Sequence, residues 1–492
     1  MAAIAAAGTP TTDAGTTDAA QNTDDIAVSN VTDVAEASIS NNNPPNAAIG
    51  ADGGALSNAA TADNVDTEPT KEAPNAQGTA PNAKDTARTY RYTFRNSKSS
   101  IYSAVDRLLQ QKPHWERLHE RAKNYDLLIS CLAGCRWSHI QVPDGHGRRV
   151  CVNHVRGMQM SICKKVKLAL TMRAYTAELE GGGGTALLDR IMPRTFVLVP
   201  GALGKLDERA LFLAAADADT TLWIAKSTSG AHGAEVKVCQ GAAEAIAHVD
   251  TVDAGENAAA EENVKPWQRK PPSPWMVQRY VTRPFLLAGD RKFDVRAVVV
   301  VTSSTTGPGL AVWWYDRWIL RTSGEKYDLD DLSNVAAHIT NNCLQKESSS
   351  YGRFEQDNEL FAEDFRAVLG DDAAFDAIVA QMQAIVLHTL AAVRERVGAG
   401  GTFAYNSWQL LGYDFLIDAD RRVSLLEVNS HAAVSTRMTD AVARALIELA
   451  IDPLFPPAAA AGEGAAPTRS PGNMFRRIGS VGSVPEAFPD AK

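Results

Sequence analysis

The chain has 492 residues and a formal net charge of −9, with 45% apolar residues, enough for more than one core. Residues 1–86 hold 12 Asp and Glu against 2 Lys; with −10 in that stretch and −9 overall, the remainder carries +1. A near-neutral remainder excludes a nucleic-acid partner held by bulk charge, and the lack of an apolar run of transmembrane length excludes a spanning segment.

Residues 1–86 are dominated by Ala, Thr, Asn, Asp, Gly and Pro and hold no aromatic residue. Such a stretch buries too little surface to offset its ordering entropy, so it reads as a disordered acidic tail or an acidic docking segment. Order begins near Thr89. YRYTF reads as a strand, and Ile101, Val105, Leu108 and Leu109 follow at helical spacing. YDLLIS (125–130) is a second strand, and Val155–Thr171 a basic helix. This opening predicts a small α/β domain over residues 87–193, closed by the linker Gly181–Gly184.

TFVLVP (195–200) opens the next domain, followed by a helix over Glu208–Ala216, the strand LWIAK (222–226), the loop STSGAHG (227–233) and the strand AEVKV. A glycine-bearing loop between strands can fold over phosphates, with Lys226 supplying charge; the alternative is an ordinary hairpin with an exposed lysine. The Gly-Lys-Ser/Thr order of the Walker loop is absent. Residues 251–274 read as a proline-bearing loop and WMVQRYV (275–281) as a strand. In RKFDVRAVVVVTS (291–303), Lys292, Asp294 and Arg296 alternate along one side. They form either a solvated face or a cleft for an anion, where guanidinium binds carboxylate or phosphate bidentately. Two strands follow in 309–323, ending with Arg321, then helices near Asn358–Leu369 and Phe375–Val397.

The last hairpin, Gln409–Asn429, carries the clearest chemistry. A turn centred between Asp420 and Arg421 sets Asp414 opposite Glu427, and strand alternation puts Asn429 on the same face. Two adjacent carboxylates repel, and a divalent cation relieves the repulsion. Three hard oxygen donors suit Mg²⁺; the alternative is a pair of surface carboxylates. A helix over Ser435–Ile451 follows, and residues 458–492 read as a disordered tail in which Arg476-Arg477 precede Ser480 and Ser483. The six cysteines are scattered without zinc spacing, and no signal peptide is evident, so a reducing cytosolic compartment is expected.

Residues 89–457 resemble the tubulin–tyrosine ligase family through nine blocks in order: YRYTFRNSKSSIYSAVDRLL, VNHVRG, LWIAKSTSGAHG, VQRYVTRPFLL, RKFDVRAVVVV, ILRTSGEKY, HITNNCLQKE, LLGYDFLID and LLEVN. Because the match includes the N-terminal domain, it favours tyrosine ligation over the polyglutamylases and polyglycylases of the same family. The resemblance implies an ATP-grasp fold with a central lobe (194–303) and a C-terminal lobe holding the Mg²⁺ site (304–457), preceded by the α/β domain at 87–193 as the tubulin-binding part. Carried over residue by residue, Lys226 and Lys292 contact ATP phosphates, while Gln278, Arg279, Tyr280 and Val281 frame the adenine. Thr340 and Asn341 contact nucleotide or acceptor, with Lys346 nearby, and Asp414, Glu427 and Asn429 hold Mg²⁺. Arg296 and Arg321 clamp an anionic reaction group, with Glu427 also at the chemistry. The implied reaction is ATP-dependent ligation of free tyrosine to the C-terminal carboxylate of α-tubulin through an acyl phosphate, by a monomeric, cytoskeleton-associated cytoplasmic enzyme. A near-neutral protein must gather an acidic tail through local charge, for which Arg148, Arg149, Arg156, Lys164, Lys165 and Lys167 are candidates. The chain departs from the family pattern at His232 and Glu235 in the phosphate loop and at Ser430-His431-Ala432 after Asn429.

Overall fold

The computed structural model describes residues 89–95, 99–140, 150–181, 185–202, 204–216, 221–228, 236–260, 273–303, 309–399, 404–457, 470–485 and 488–489. The acidic stretch 1–86, loop residues 229–235 with His232 and Glu235, and Arg148 and Arg149 lie outside the described residues.

Two sheets form among the described residues. The spine of the larger is an antiparallel pair, Arg291–Ser303 and Asn406–Ile417, in register from Trp408↔Thr302 to Phe415↔Val295. The strand Arg291–Ser303 is buried from Arg291 through Thr302. Its AVVVV run (297–301) is apolar on both faces, as a strand covered on both sides requires. Ala297, Val299 and Val301 enter one core cluster with Ile378, Met382 and Ile385 of the helix Asp372–Ala391. Val298 and Val300 enter the other, with Tyr102 of the helix Ser100–Leu109 and Val442 of the helix Thr439–Leu446. Contrary to the expectation of no run of transmembrane length, Asp372–Ala391 is, among the described helices, the one long and apolar enough to cross a membrane; most of it is buried, and its apolar residues are spent on this core.

Flanking strands complete the sheet. Ile319–Lys326 and Leu310–Tyr315 pair with opposite ends of Arg291–Ser303. Val423–Asn429 pairs with one end of Asn406–Ile417, and Cys151–Val152 runs parallel to the other end. Through Cys151–Val152 the parallel strands Leu127–Ser130, Tyr90–Arg95 and Trp115–Leu118 join the same sheet. The smaller sheet is antiparallel: Thr195–Leu198, Trp275–Arg279, Leu222–Ser227 and Val236–Gln240 in spatial order. The helices Arg209–Ala215 and Gly241–Ala260 cover it through Phe212, Ala245 and Val249, packed on Phe196, Trp223 and Trp275.

Several sequence expectations change. The strand Arg291–Ser303, placed in the central lobe, is interior to the large sheet. The basic helix is two, Met158–Ile162 and Lys165–Leu179, parted at Lys164, whose extended backbone (φ −118°, ψ 125°) no Gly or Pro announces. Gly241–Ala260 extends through the first part of the expected 251–274 loop, and the stretch from Asn358 begins with a short strand, Glu359–Phe361. Within the expected disordered tail, Phe475–Ser480 is a strand pairing antiparallel with Leu310–Tyr315, and Phe475 is fully buried against Tyr315. An edge strand supplies the backbone partners that the tail's own composition cannot.

Candidate active site

A cavity of about 520 Å³ opens where the smaller sheet faces the large one, and every sequence-predicted nucleotide, metal and reaction residue lines it. From the smaller sheet come Lys226 and Gln278 on neighbouring strands, with Lys226 Nζ donating to Gln278 Oε1 at 2.9 Å. Arg279 is exposed and Val281 half-buried at its rim. Lys226 is partly buried, and desolvation lowers its pKa to about 8 against the pull of Glu427, Asp414 and Asp294.

The large sheet supplies the charged floor. Period-two alternation turns Lys292, Asp294 and Arg296 to one side, and they are 6%, 3% and 7% exposed. This decides against a solvated face. Register then builds a row: Arg321 pairs with Asp294, Arg296 with Asp414, and Asp414 with Glu427. Arg296 grips Asp414 through Nε and through Nη2, the latter at 2.8 Å. Arg321 spans two carboxylates, donating to Asp294 Oδ1 at 2.6 Å and Asp414 Oδ2 at 2.9 Å. Thr340 donates to Asp294 Oδ2. Burial pushes both aspartates up. At Asp414 the two arginines outweigh burial and hold the carboxyl well below the usual range; at Asp294 burial prevails, with Asp414 adding to it. Lys292 Nζ donates to Tyr280 Oη and to the His338 carbonyl, each at 2.9 Å. Desolvation, then Lys226, lowers its pKa to about 7.

The Asp414–Glu427 pairing depends on an irregularity. Ile417↔Val423 centres the turn on Asp420, half a residue from the expected position, and a strict ladder would set Asp414 opposite Leu426. A bulge between the Asp414 and Phe415 pairs leaves Leu426 extra and restores Asp414↔Glu427. It also moves Glu427 off the face that buries Leu425 and onto the cavity side. Asn429 Nδ2 donates to Glu427 Oε1 at 3.1 Å. Among the described residues no three carboxylate, imidazole or thiol groups cluster as for a metal. The set here is two carboxylates and an amide, whose Nδ2 also lies 3.4 Å from Asp414 Oδ2; an amide rotated about its Cβ–Cγ bond would turn its oxygen to that side. Asp414 Oδ1 accepts from Arg296 Nε, and the Asp414 carboxylate faces Glu427 across the ladder. The donors fit a hard divalent cation.

Asp294, Lys165 and His431 also line the cavity, in roles the sequence did not give them. Asp294 was visible in the alternation, but only register shows Arg321 opposite it. Lys165, expected in a docking groove, stands with Nζ 3.8 Å from Glu427 Oε2. Lys346 is not among the lining residues.

The profile of the Tubulin-tyrosine ligase family matches residues 151–460. Tubulin glycylase 3B of Tetrahymena thermophila is 28% identical over 180 residues, 35% of this chain and 15% of that protein. Protein polyglycylase TTLL10 of Rattus norvegicus is 29% identical over 262 residues, 51% of this chain and 35% of that protein. Probable tubulin polyglutamylase TTLL2 of Homo sapiens is 30% identical over 166 residues, 33% of this chain and 27% of that protein. The chain spans well under half the length of these curated relatives.

Proposed function

The chain belongs to the tubulin-tyrosine ligase family, and on that premise we propose that it is an ATP-dependent ligase joining an amino acid to a carboxylate of tubulin. Family membership implies the ATP-grasp fold, with nucleotide between two lobes. The observation that carries the reading is the juxtaposition, in one cavity, of Lys226 and Lys292 from facing sheets with the Arg321–Asp294–Arg296–Asp414–Glu427 row.

In this reading an acceptor carboxylate oxygen attacks the γ-phosphorus of ATP and ADP leaves. The deprotonated amine of the amino acid then attacks the acyl carbon, inorganic phosphate leaves, and an amide bond remains. Lys226 and Lys292 neutralise phosphate oxygens; the donors of Arg296 are taken up by Asp414 and the Ala433 carbonyl, so the anion clamp expected of it falls instead on a carboxylate of the protein. Mg²⁺, held by Asp414, Glu427 and Asn429, would supply further neutralisation of phosphate charge. Arg321 and Arg296 fix Asp414 and Asp294, so the acidic ligands keep one arrangement while substrates exchange. No enzyme nucleophile is required.

Sequence resemblance alone favours tyrosine. The relatives above bear the names of a glycylase, a polyglycylase and a probable polyglutamylase, which moves the weight from tyrosine to glycine or glutamate. The deciding experiment offers labelled glycine, glutamate and tyrosine separately with Mg·ATP and tubulin dimers, and reads ADP release and label position by mass spectrometry. Amino-acid-dependent ADP release with label on tubulin is expected. Tubulin left unlabelled with all three would remove the reading.

A further inference from the structure

We infer that His431 is a specificity-determining residue: its imidazole is a fixed wall at the reaction end of the cavity and restricts the amino-acid substrate to glycine. The inference rests on the ligase reading and names the substrate class for the same site.

The incoming amine must reach an acyl phosphate beside Asp414, Glu427 and Asn429. His431 lies two residues beyond Asn429, and Asn429, His431 and Ala433 line that end of the cavity while Ala432 turns into the core. A wall restricts only if it cannot retreat, and this one is backed on the side away from the cavity. Ser430 Oγ lies 3.0 Å from His431 Nδ1. Behind the ring stand Tyr102 and His154, edge-on at centroid distances of 6.0 and 6.1 Å, both fully buried. Trp408 packs on Tyr102 at 5.6 Å and is itself fully buried. The backbone is equally confined. A Cβ on Gly412 would come within 3.2 Å of Ala432, so the segment already presses against the strand beneath. Arg296 Nη1 donates to the Ala433 carbonyl at 2.9 Å, tying the segment to the charged floor. The ring therefore has neither a rotamer behind it nor a backbone shift to take, because close-packed interiors resist overfilling.

An amino acid with no side chain needs no room beyond its α-carbon. Each added methylene meets this wall, and one methylene in a confining pocket discriminates by roughly 10- to 200-fold. The test measures kcat/KM for glycine, alanine, serine, glutamate and tyrosine with the full chain, Mg·ATP and tubulin. Wild type should prefer glycine to alanine by about tenfold or more. His431→Ala should still ligate glycine while that preference falls to within about threefold, and His431→Phe, which keeps the bulk without the imidazole nitrogens, should retain it. Failure of wild type to ligate any amino acid would strike the ligase reading itself. The wall alone is overturned if wild type uses glutamate or tyrosine as well as glycine. It is likewise overturned if His431→Ala keeps the wild-type preference, or if His431→Ala binds ATP normally yet ligates nothing while His431→Phe is active.

Discussion

Binding of ATP should draw protons from solution, by an amount set by Lys226 and Lys292. Their folded pKa values of about 8 and about 7 lie below the ordinary lysine value of 10.5 because desolvation dominates at both. Bound phosphate oxygens reverse that and hold both lysines charged. At pH 7.5 the free protein carries about three quarters of a proton on Lys226 and about one quarter on Lys292, so binding takes up about one proton. The uptake should be about 0.3 at pH 6.5 and about 1.7 at pH 8.5, and affinity should weaken by about 25-fold between pH 7.5 and 8.5. Stability of the ATP-free protein follows with its own sign. Between the folded values and 10.5 the unfolded chain binds more protons, so this contribution is fully present above 10.5 and is lost as pH falls toward 7. Titration calorimetry in buffers of different ionisation enthalpy reads the proton number directly. Lys292→Met should cut the uptake at pH 7.5 to about one quarter of a proton. Uptake near zero at pH 8.5, or net release, would refute the claim that phosphates occupy the space between these lysines.

Three other outcomes are expected. Glu427→Gln should lower Mg²⁺-dependent ADP release by orders of magnitude with little change in melting temperature, since Glu427 is only partly buried and the amide keeps its shape; a fully active variant would displace the metal assignment. Arg321→Ala leaves Asp294 and Asp414 buried without their shared partner and should cost about 3–5 kcal/mol in chemical denaturation; adding Asp294→Asn should recover part of that, and no recovery would show the carboxylates do not repel. Truncation after Pro457 removes Phe475 and Val481, both buried, and should destabilise by about 2–4 kcal/mol while baring the edge of Leu310–Tyr315; unchanged denaturation and no added self-association would show the strand contributes nothing.

Short-range chemistry was legible in the chain. The RKFDVRAVVVVTS strand appears with its expected limits, because β-branched runs and period-two alternation depend on neighbours a few residues away. The same locality put Lys292, Asp294 and Arg296 on one side and brought Asp414 near Glu427. What locality cannot carry is pairing between distant segments. Nothing in residues 406–429 announces the bulge at Leu426, since a strict ladder and a bulged one have the same sequence; packing Leu425 into the core while Glu427 faces the cavity decides between them. Lys165 reads as one charge on a basic helix until the fold sets it against Glu427, 262 residues on. The Phe475–Ser480 strand is the plainest case. Its composition cannot hold it extended alone, and only the open edge of Leu310–Tyr315, 160 residues earlier at the Arg476–Asp316 pair, gives its backbone groups partners and Phe475 a place to bury.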